Sequence, residues 1–216
     1  FSISPESGHG QIVLGILVDA SGSMESSPPN MDVSAMQAAC CFVGGVKDGL
    51  ARNPNVKIEA YAYDSRPLDP TGNIEGHAAR LAEHRALLRS EHGTLTHDQV
   101  CVLRPLNTDN DLTHTQPWGG TPTSIALRAL DERLTTLYPE ARRIILILTD
   151  GAPCGYVTHP FFPDRAGKGP APYFSDNPEQ TRNMISSIST PVFCVGLNVD
   201  AKTLQQQYNV GHSFTV

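Results

Sequence analysis

Apolar positions recur along this chain at two periods, and each period predicts a different element. Residues 12–18 (Ile-Val-Leu-Gly-Ile-Leu-Val) form an unbroken apolar run, which predicts a strand buried on both faces. Residues 144–148 (Ile-Ile-Leu-Ile-Leu) read the same way. Val56, Ile58, Ala60 and Ala62 stand at every second position and predict a half-buried strand ending near Asp64. Met36, Cys40, Val43 and Leu50 recur at helical spacing, so 33–52 predicts a helix that stops before Pro54. A further helix opens at Gly119-Gly120-Thr121-Pro122-Thr123, with Ile125, Leu127, Leu130, Leu134 and Leu137 on its apolar side. Then follow a helix near 178–188, a strand at 191–197, a short helix near 201–208 and a last strand at 213–216. Strands alternating with helices predict an α/β fold: a doubly wound, mostly parallel central sheet flanked by helices.

Two regions break the pattern. Residues 65–118 predict an irregular insertion, with a helix over 78–88, a short strand over 100–103 and a polar loop over 104–118. Residues 152–177, heavy in Pro, Gly and aromatic side chains, predict a long loop. The 216 residues otherwise suit one domain spanning 1–216, opened by a polar entry segment over 1–10. Trp118, Tyr156, Phe161, Phe162 and Tyr173 fall on these two regions. They read equally well as packing residues and as aromatic anchors of an interface.

Composition then excludes several roles. A net charge of -6 without a lysine or arginine stripe excludes a nucleic-acid footprint. The apolar runs fall far below the roughly 18 residues of a membrane span, so no direct membrane insertion is expected. The five cysteines are odd in number, Cys40 and Cys41 are adjacent, and Cys194 lies in a strand run. They read as small core hydrophobes, and with no Asn-x-Ser/Thr acceptor they predict a cytoplasmic setting. The first residue is Phe1 and not Met, which predicts an excised fragment. His92, His97 and Cys101, even with His77 or His84, meet none of the tight spacings of a zinc site and read as solvated side chains. Cys154 reads as an incidental loop thiol.

The chemistry gathers at strand ends. The first apolar run stops in Asp19-Ala20-Ser21-Gly22-Ser23, and ligands of open α/β sheets bind at the carboxyl ends of strands. Carboxylate and hydroxyl oxygens suit a hard cation such as Mg²⁺, and Gly22 lets the backbone curl so that both hydroxyls converge. Ser21 and Ser23, like Thr121 and Thr123, would serve equally as helix caps if taken one at a time. Enzyme signatures are absent from the sequence. It holds no Gly-x-x-x-x-Gly-Lys-Ser/Thr loop and no Gly-x-Gly-x-x-Gly, and Asp19 stands where a Gly-x-Ser-x-Gly elbow needs glycine. A phosphatase with Asp19 as nucleophile lacks a second acidic residue, since position 21 is Ser, and lacks a phosphate-clamping lysine.

Three pieces recur in order: Asp19-x-Ser21-x-Ser23 after a strand, Gly120-Thr121 at a helix start, and Thr149-Asp150-Gly151 after a strand. Together they resemble the von Willebrand factor A-type domain and its metal-ion-dependent adhesion site. The resemblance covers roughly 10–65 and 119–216. It implies that Ser21 and Ser23 ligate Mg²⁺ (or Mn²⁺ or Ca²⁺) and that Thr121 does so directly or through water. Asp19 and Asp150 would then act mostly through waters and hydrogen bonds. It further implies a non-catalytic, metal-dependent protein–protein interaction module, with an Asp or Glu of a partner protein completing the metal shell. A finer likeness, in the long insertion, Asp150-Gly151-Ala152-Pro153 and the close from Pro191 to His212, is to the A-type subunit of cobalt and magnesium chelatases. That version implies an AAA+ ATPase partner. The Gly119-Gly120-Thr121-Pro122 opening and the stop at Val216 depart from the chelatase pattern.

Overall fold

The computed structural model describes residues 10–28, 32–64, 102–115, 117, 120–163, 170–210 and 213–215, with backbone alone for 102, 155–163, 170–175 and 213–215. Strand β1 (Ile12–Asp19) is the apolar run met first in the sequence. It lies between β2 (Val56–Asp64) and β4 (Arg142–Thr149), parallel to both, with Ile12 opposite Val56 on one side and Arg142 on the other. Outside β2, strand β3 (Val102–Pro105) runs antiparallel; outside β4, β7 (Val192–Gly196) and β8 (Ser213–Thr215) run parallel. The order is β3-β2-β1-β4-β7-β8. One antiparallel pair makes the sheet mixed, so the architecture is a mixed α/β sheet with helices.

Side-chain alternation along β1 divides the core in two. Val13 and Leu17 pack with Leu127, Leu130 and Leu134 of α3 (Thr123–Leu137) and with Leu204 and Tyr208 of α5 (Ala201–Tyr208). Ile16 and Val18 pack with Met36, Ala39, Cys40 and Val43 of α1 (Ala35–Leu50). A strand buried on both faces can afford no polar residue until its end, which is why the run is unbroken up to Asp19. Ser34 starts α1 through a capping box with Gln37, Asn177 starts α4 (Pro178–Ser187), and Asp200 starts α5.

Two expectations change. Residues 104–118 hold a helix, α2 (Asp109–His114), where a polar loop was predicted. Six residues with no apolar period give no helical signal; a Thr108–Asp111 capping box holds the start, and Lys47 Nζ donates to the carbonyls of Leu106 (2.5 Å) and Asn107 (3.1 Å) just before it. Residues 152–177 hold the antiparallel pair β5 (Gly155–Pro163) and β6 (Pro170–Asp176) instead of a loop. Proline cannot donate to a ladder, and it is tolerated in such an edge pair but hides the strand from a pattern reading. The expected helix over 78–88 and the histidines at 77, 84, 92 and 97 lie outside the described residues, as does Cys101. Cys40 and Cys194 are buried, as expected of core fillers, while Cys41 and Cys154 are exposed; all four are free thiols. Among the described residues no helix is long and apolar enough to cross a membrane.

Gly196 ends β7 with no room for a side chain: an added Cβ would stand 2.8 Å from the Val199 carbonyl oxygen and 2.6 Å from Leu204 Cδ1. The carbonyl is backbone and cannot rotate away. Gly196→Ala is therefore expected to cost about 1–3 kcal/mol, as overpacking does, measured by urea denaturation. An unchanged midpoint would contradict this packing.

Candidate functional site

The carboxyl ends of β1 and β4 carry a continuous chain of polar side chains. Asp19 is fully buried, and its Oδ1 accepts the Ser21 N–H at 2.8 Å. Its Oδ2 accepts the Thr149 hydroxyl at 2.7 Å. Ser21 Oγ lies 3.0 Å from Ser23 Oγ, and Ser23 donates to Asp150 Oδ1 at 2.9 Å. Ser21 is buried, Asp150 half-buried and Ser23 exposed, so the chain runs from the core to solvent. Parallel pairing of β1 with β4 brings Asp19 and Asp150 to the same edge across 131 positions of sequence, Asp19 one residue and Asp150 two residues beyond the Val18–Leu148 pair.

The capping alternative for Ser21 fails. Ser21 does precede a short 3₁₀ turn (Gly22–Glu25), yet its side chain makes no capping hydrogen bond and faces Ser23 instead. Thr123 is the first helical residue of α3 and not its cap; its hydroxyl meets Tyr63 Oη at 3.0 Å. Thr121 is buried and forms an antiparallel bridge to Cys154, in which each backbone N–H meets the other's carbonyl. The structure shows no hydrogen bond between the Thr121 side chain and the other four residues. Four of the five predicted site residues are thus linked by hydrogen bonds, and Thr121 is bridged to Cys154, four residues beyond Asp150.

Among the described residues no positive side chain pairs with the cluster. Burial pushes the Asp19 carboxyl up to about 7, against the lowering pull of the Ser21 N–H and Thr149 hydroxyl, and the neighbouring Asp150 raises it further. Asp150 is also raised, again chiefly by burial. Among the described residues no Lys, Arg or His forms an ion pair with either. Two raised carboxylates joined by hydroxyls form an oxygen donor set that suits a hard cation. Among the described residues no group of three or more His, Cys, Asp or Glu gathers, so hydroxyls would have to supply much of any cation shell.

Three residues of the site had no role assigned from the sequence. Thr149 holds Asp19, and Tyr208 Oη donates to the Gly151 carbonyl at 3.0 Å and approaches Thr149 Oγ1 at 3.4 Å. Asp176 Oδ2 accepts the Ser124 N–H at 2.6 Å, at the start of α3. The aromatic residues Tyr156, Phe161, Phe162 and Tyr173 lie on β5 and β6, where the backbone alone is described, and Trp118 lies outside the described residues.

No protein-family model matches the chain. No curated protein matches it either. Solved structures do. The chain is similar to the PilB minor pilin from Streptococcus sanguinis, with TM-score 0.54 and 16% identity over 99% of this chain and 58% of that one. It is similar to the adhesive tip pilin GBS104 from Group B Streptococcus agalactiae, with TM-score 0.54 and 12% identity over 96% and 60%. It is also similar to the pilus adhesin SpaC from Lactobacillus rhamnosus GG, with TM-score 0.51 and 15% identity over 97% and 29%. The chain thus spans less than two thirds of each of these proteins. At such identities the likeness concerns the fold.

These matches correct the family expectation. The fold falls with minor pilins and pilus adhesins, and neither the von Willebrand A-type identification nor the chelatase likeness is supported. The metal-dependent interaction function inferred from that identification is withdrawn with it. The physical reason is that three short polar motifs at element ends specify a local loop arrangement. They do not specify the family of the sheet that presents them.

Proposed function

We propose that this chain is an adhesive contact module of the pilus-related kind, whose contact surface is the carboxyl edge of its sheet. One observation carries this reading: a fold shared with an adhesive tip pilin presents, at that edge, a polar chain buried at Asp19 and open at Ser23. The two apolar faces of β1 support the finer description of the sheet as doubly wound, an arrangement that binds ligands outside its carboxyl ends. Adhesion requires surface complementarity and no bond breaking, so the role is non-catalytic. Such a role would be exercised at a cell surface, a different setting from the cytoplasmic one expected from the cysteines.

The converging carboxylate and hydroxyl oxygens support a cation at this edge. Ser21, Ser23 and Thr121 would hold Mg²⁺ (or Mn²⁺ or Ca²⁺), with Asp19 and Asp150 behind them. The ion, when bound, supplies a positive charge with room for an outside oxygen.

Beads coated with the chain are expected to be retained under flow on one or more surfaces from a panel of immobilised matrix proteins and polysaccharides, where albumin-coated beads wash away. Retention no greater than that of albumin across the whole panel would overturn the adhesive reading.

A further inference from the structure

We infer that Asp176 is a positioning residue for Thr121, acting through the first turn of α3. This rests on the proposal that Thr121 helps to hold a cation. A helix start leaves N–H groups without partners inside the helix, and a Ser, Thr, Asp or Asn at the cap normally satisfies one of them. At α3 the cap position is Pro122, whose side chain makes no such bond. Asp176, at the end of β6, takes over from 52 positions away: its Oδ2 accepts the N–H of Ser124, the second residue of the helix, at 2.6 Å. Its Oδ1 accepts the Asn177 N–H at 2.8 Å and the Thr181 hydroxyl at 3.3 Å, which ties the same carboxylate to the start of α4. Asp176 and Ser124 are both buried, so water offers no substitute partner.

Thr121 sits between this clamp and a second one. Its carbonyl accepts the Thr123 N–H at 2.9 Å, which makes it continuous with the clamped turn. On its other side lies the backbone bridge to Cys154, four residues beyond Asp150. The β5–β6 pair therefore grips the Thr121 segment at both of its ends, through Cys154 before Gly155 and through Asp176 at its close. Release of the Asp176 grip leaves the Cys154 bridge alone to set where the Thr121 hydroxyl lies.

The test is a double-mutant cycle on Mn²⁺ affinity, read by calorimetry, with Thr121→Ala and Asp176→Ala alone and combined. Asp176→Ala is expected to weaken Mn²⁺ roughly tenfold, the scale on which groups that orient metal ligands act. In the Thr121→Ala background it is expected to weaken binding no further. Asp176→Asn keeps an oxygen for the Ser124 N–H and is expected to restore most of the affinity. Asn177→Ala removes the neighbouring cap of α4, and it serves as a control expected to lower the melting temperature without lowering affinity. Equal losses from Asp176→Ala in both backgrounds, or no loss in either, overturn the inference and leave the cation proposal standing. A wild-type chain that binds neither Mn²⁺ nor Mg²⁺ overturns both.

Discussion

Replacing Asp19 with Asn is expected to abolish saturable Mg²⁺ binding and, at the same time, to raise the melting temperature of the cation-free chain at alkaline pH. Asparagine has the same shape, and its oxygen can accept the Ser21 N–H that Asp19 Oδ1 accepts. Its amide can donate to Thr149 Oγ1, whose own proton can turn to the Gly151 carbonyl at 3.3 Å. What disappears is the charge. Folding raises the Asp19 pKa from 3.8 to about 7, so between those values the folded chain holds a proton that the unfolded chain has released. Stability contributed at this position is therefore greatest below the lower value and falls as pH rises through the window, the reverse of a salt-bridged aspartate.

A cation changes the sign. Held by hydroxyls in front of Asp19, it favours the ionised over the protonated carboxyl, so Mg²⁺ affinity is expected to climb with pH and to level off above about 7. Melting temperatures from about pH 5 to about pH 8, in EDTA and in Mg²⁺, test both halves. Wild type should lose stability with pH in EDTA and regain it in Mg²⁺; Asp19→Asn should show a flatter profile and no response to Mg²⁺. An Asp19→Asn chain that gains as much from Mg²⁺ as wild type would show that the ion, if bound, sits elsewhere.

Leu130→Ala is expected to produce the largest loss of stability, about 2–5 kcal/mol, with the spread set by how far the site collapses. Leu130 is fully buried on α3, and its Cδ2 would lie 2.9 Å from a Cβ added at Gly15 of β1. The absence of a side chain at Gly15 is what lets α3 approach the sheet here. Gly15→Ala in the wild-type background should therefore destabilise by overpacking against Leu130 and Leu134. In the Leu130→Ala background it should cost less, because part of the obstacle has gone. Strict additivity of the two in urea denaturation would contradict this packing, since residues in contact are expected to couple.

The elements covered on both faces were legible before the structure. Residues 12–18 and 144–148 are apolar throughout because both faces of β1 and β4 are covered, and such runs admit few other readings. The helix over 201–208 matched its described bounds, with Asp200 as cap and Asn209 at φ 51° closing it in the left-handed region. Asp19, Ser21, Ser23 and Asp150 were legible because each stands where a strand gives out. Thr149, Tyr208 and Asp176 were not, because their roles depend on partners 52 to 130 positions away that only the folded sheet supplies. The β5–β6 pair was hidden by prolines at 160, 163, 170 and 172, residues that elsewhere mark loops. The family was misread for a related reason: polar residues at strand ends describe an edge, whereas the likeness to the pilus proteins extends over 96–99% of the chain.

The central claim is that the carboxyl edge is the adhesive surface, and bead retention by edge variants tests it most directly. On whichever surface retains wild-type beads, a Ser23→Ala, Asp150→Ala chain changes the exposed end of the polar cluster. An Arg142→Ala chain changes the opposite end of β4. Loss of retention in the first with full retention in the second is the expected result. Retention unchanged by the edge variant, or lost through Arg142→Ala alone, would contradict the account and move the adhesive surface away from Asp19, Ser21, Ser23 and Asp150.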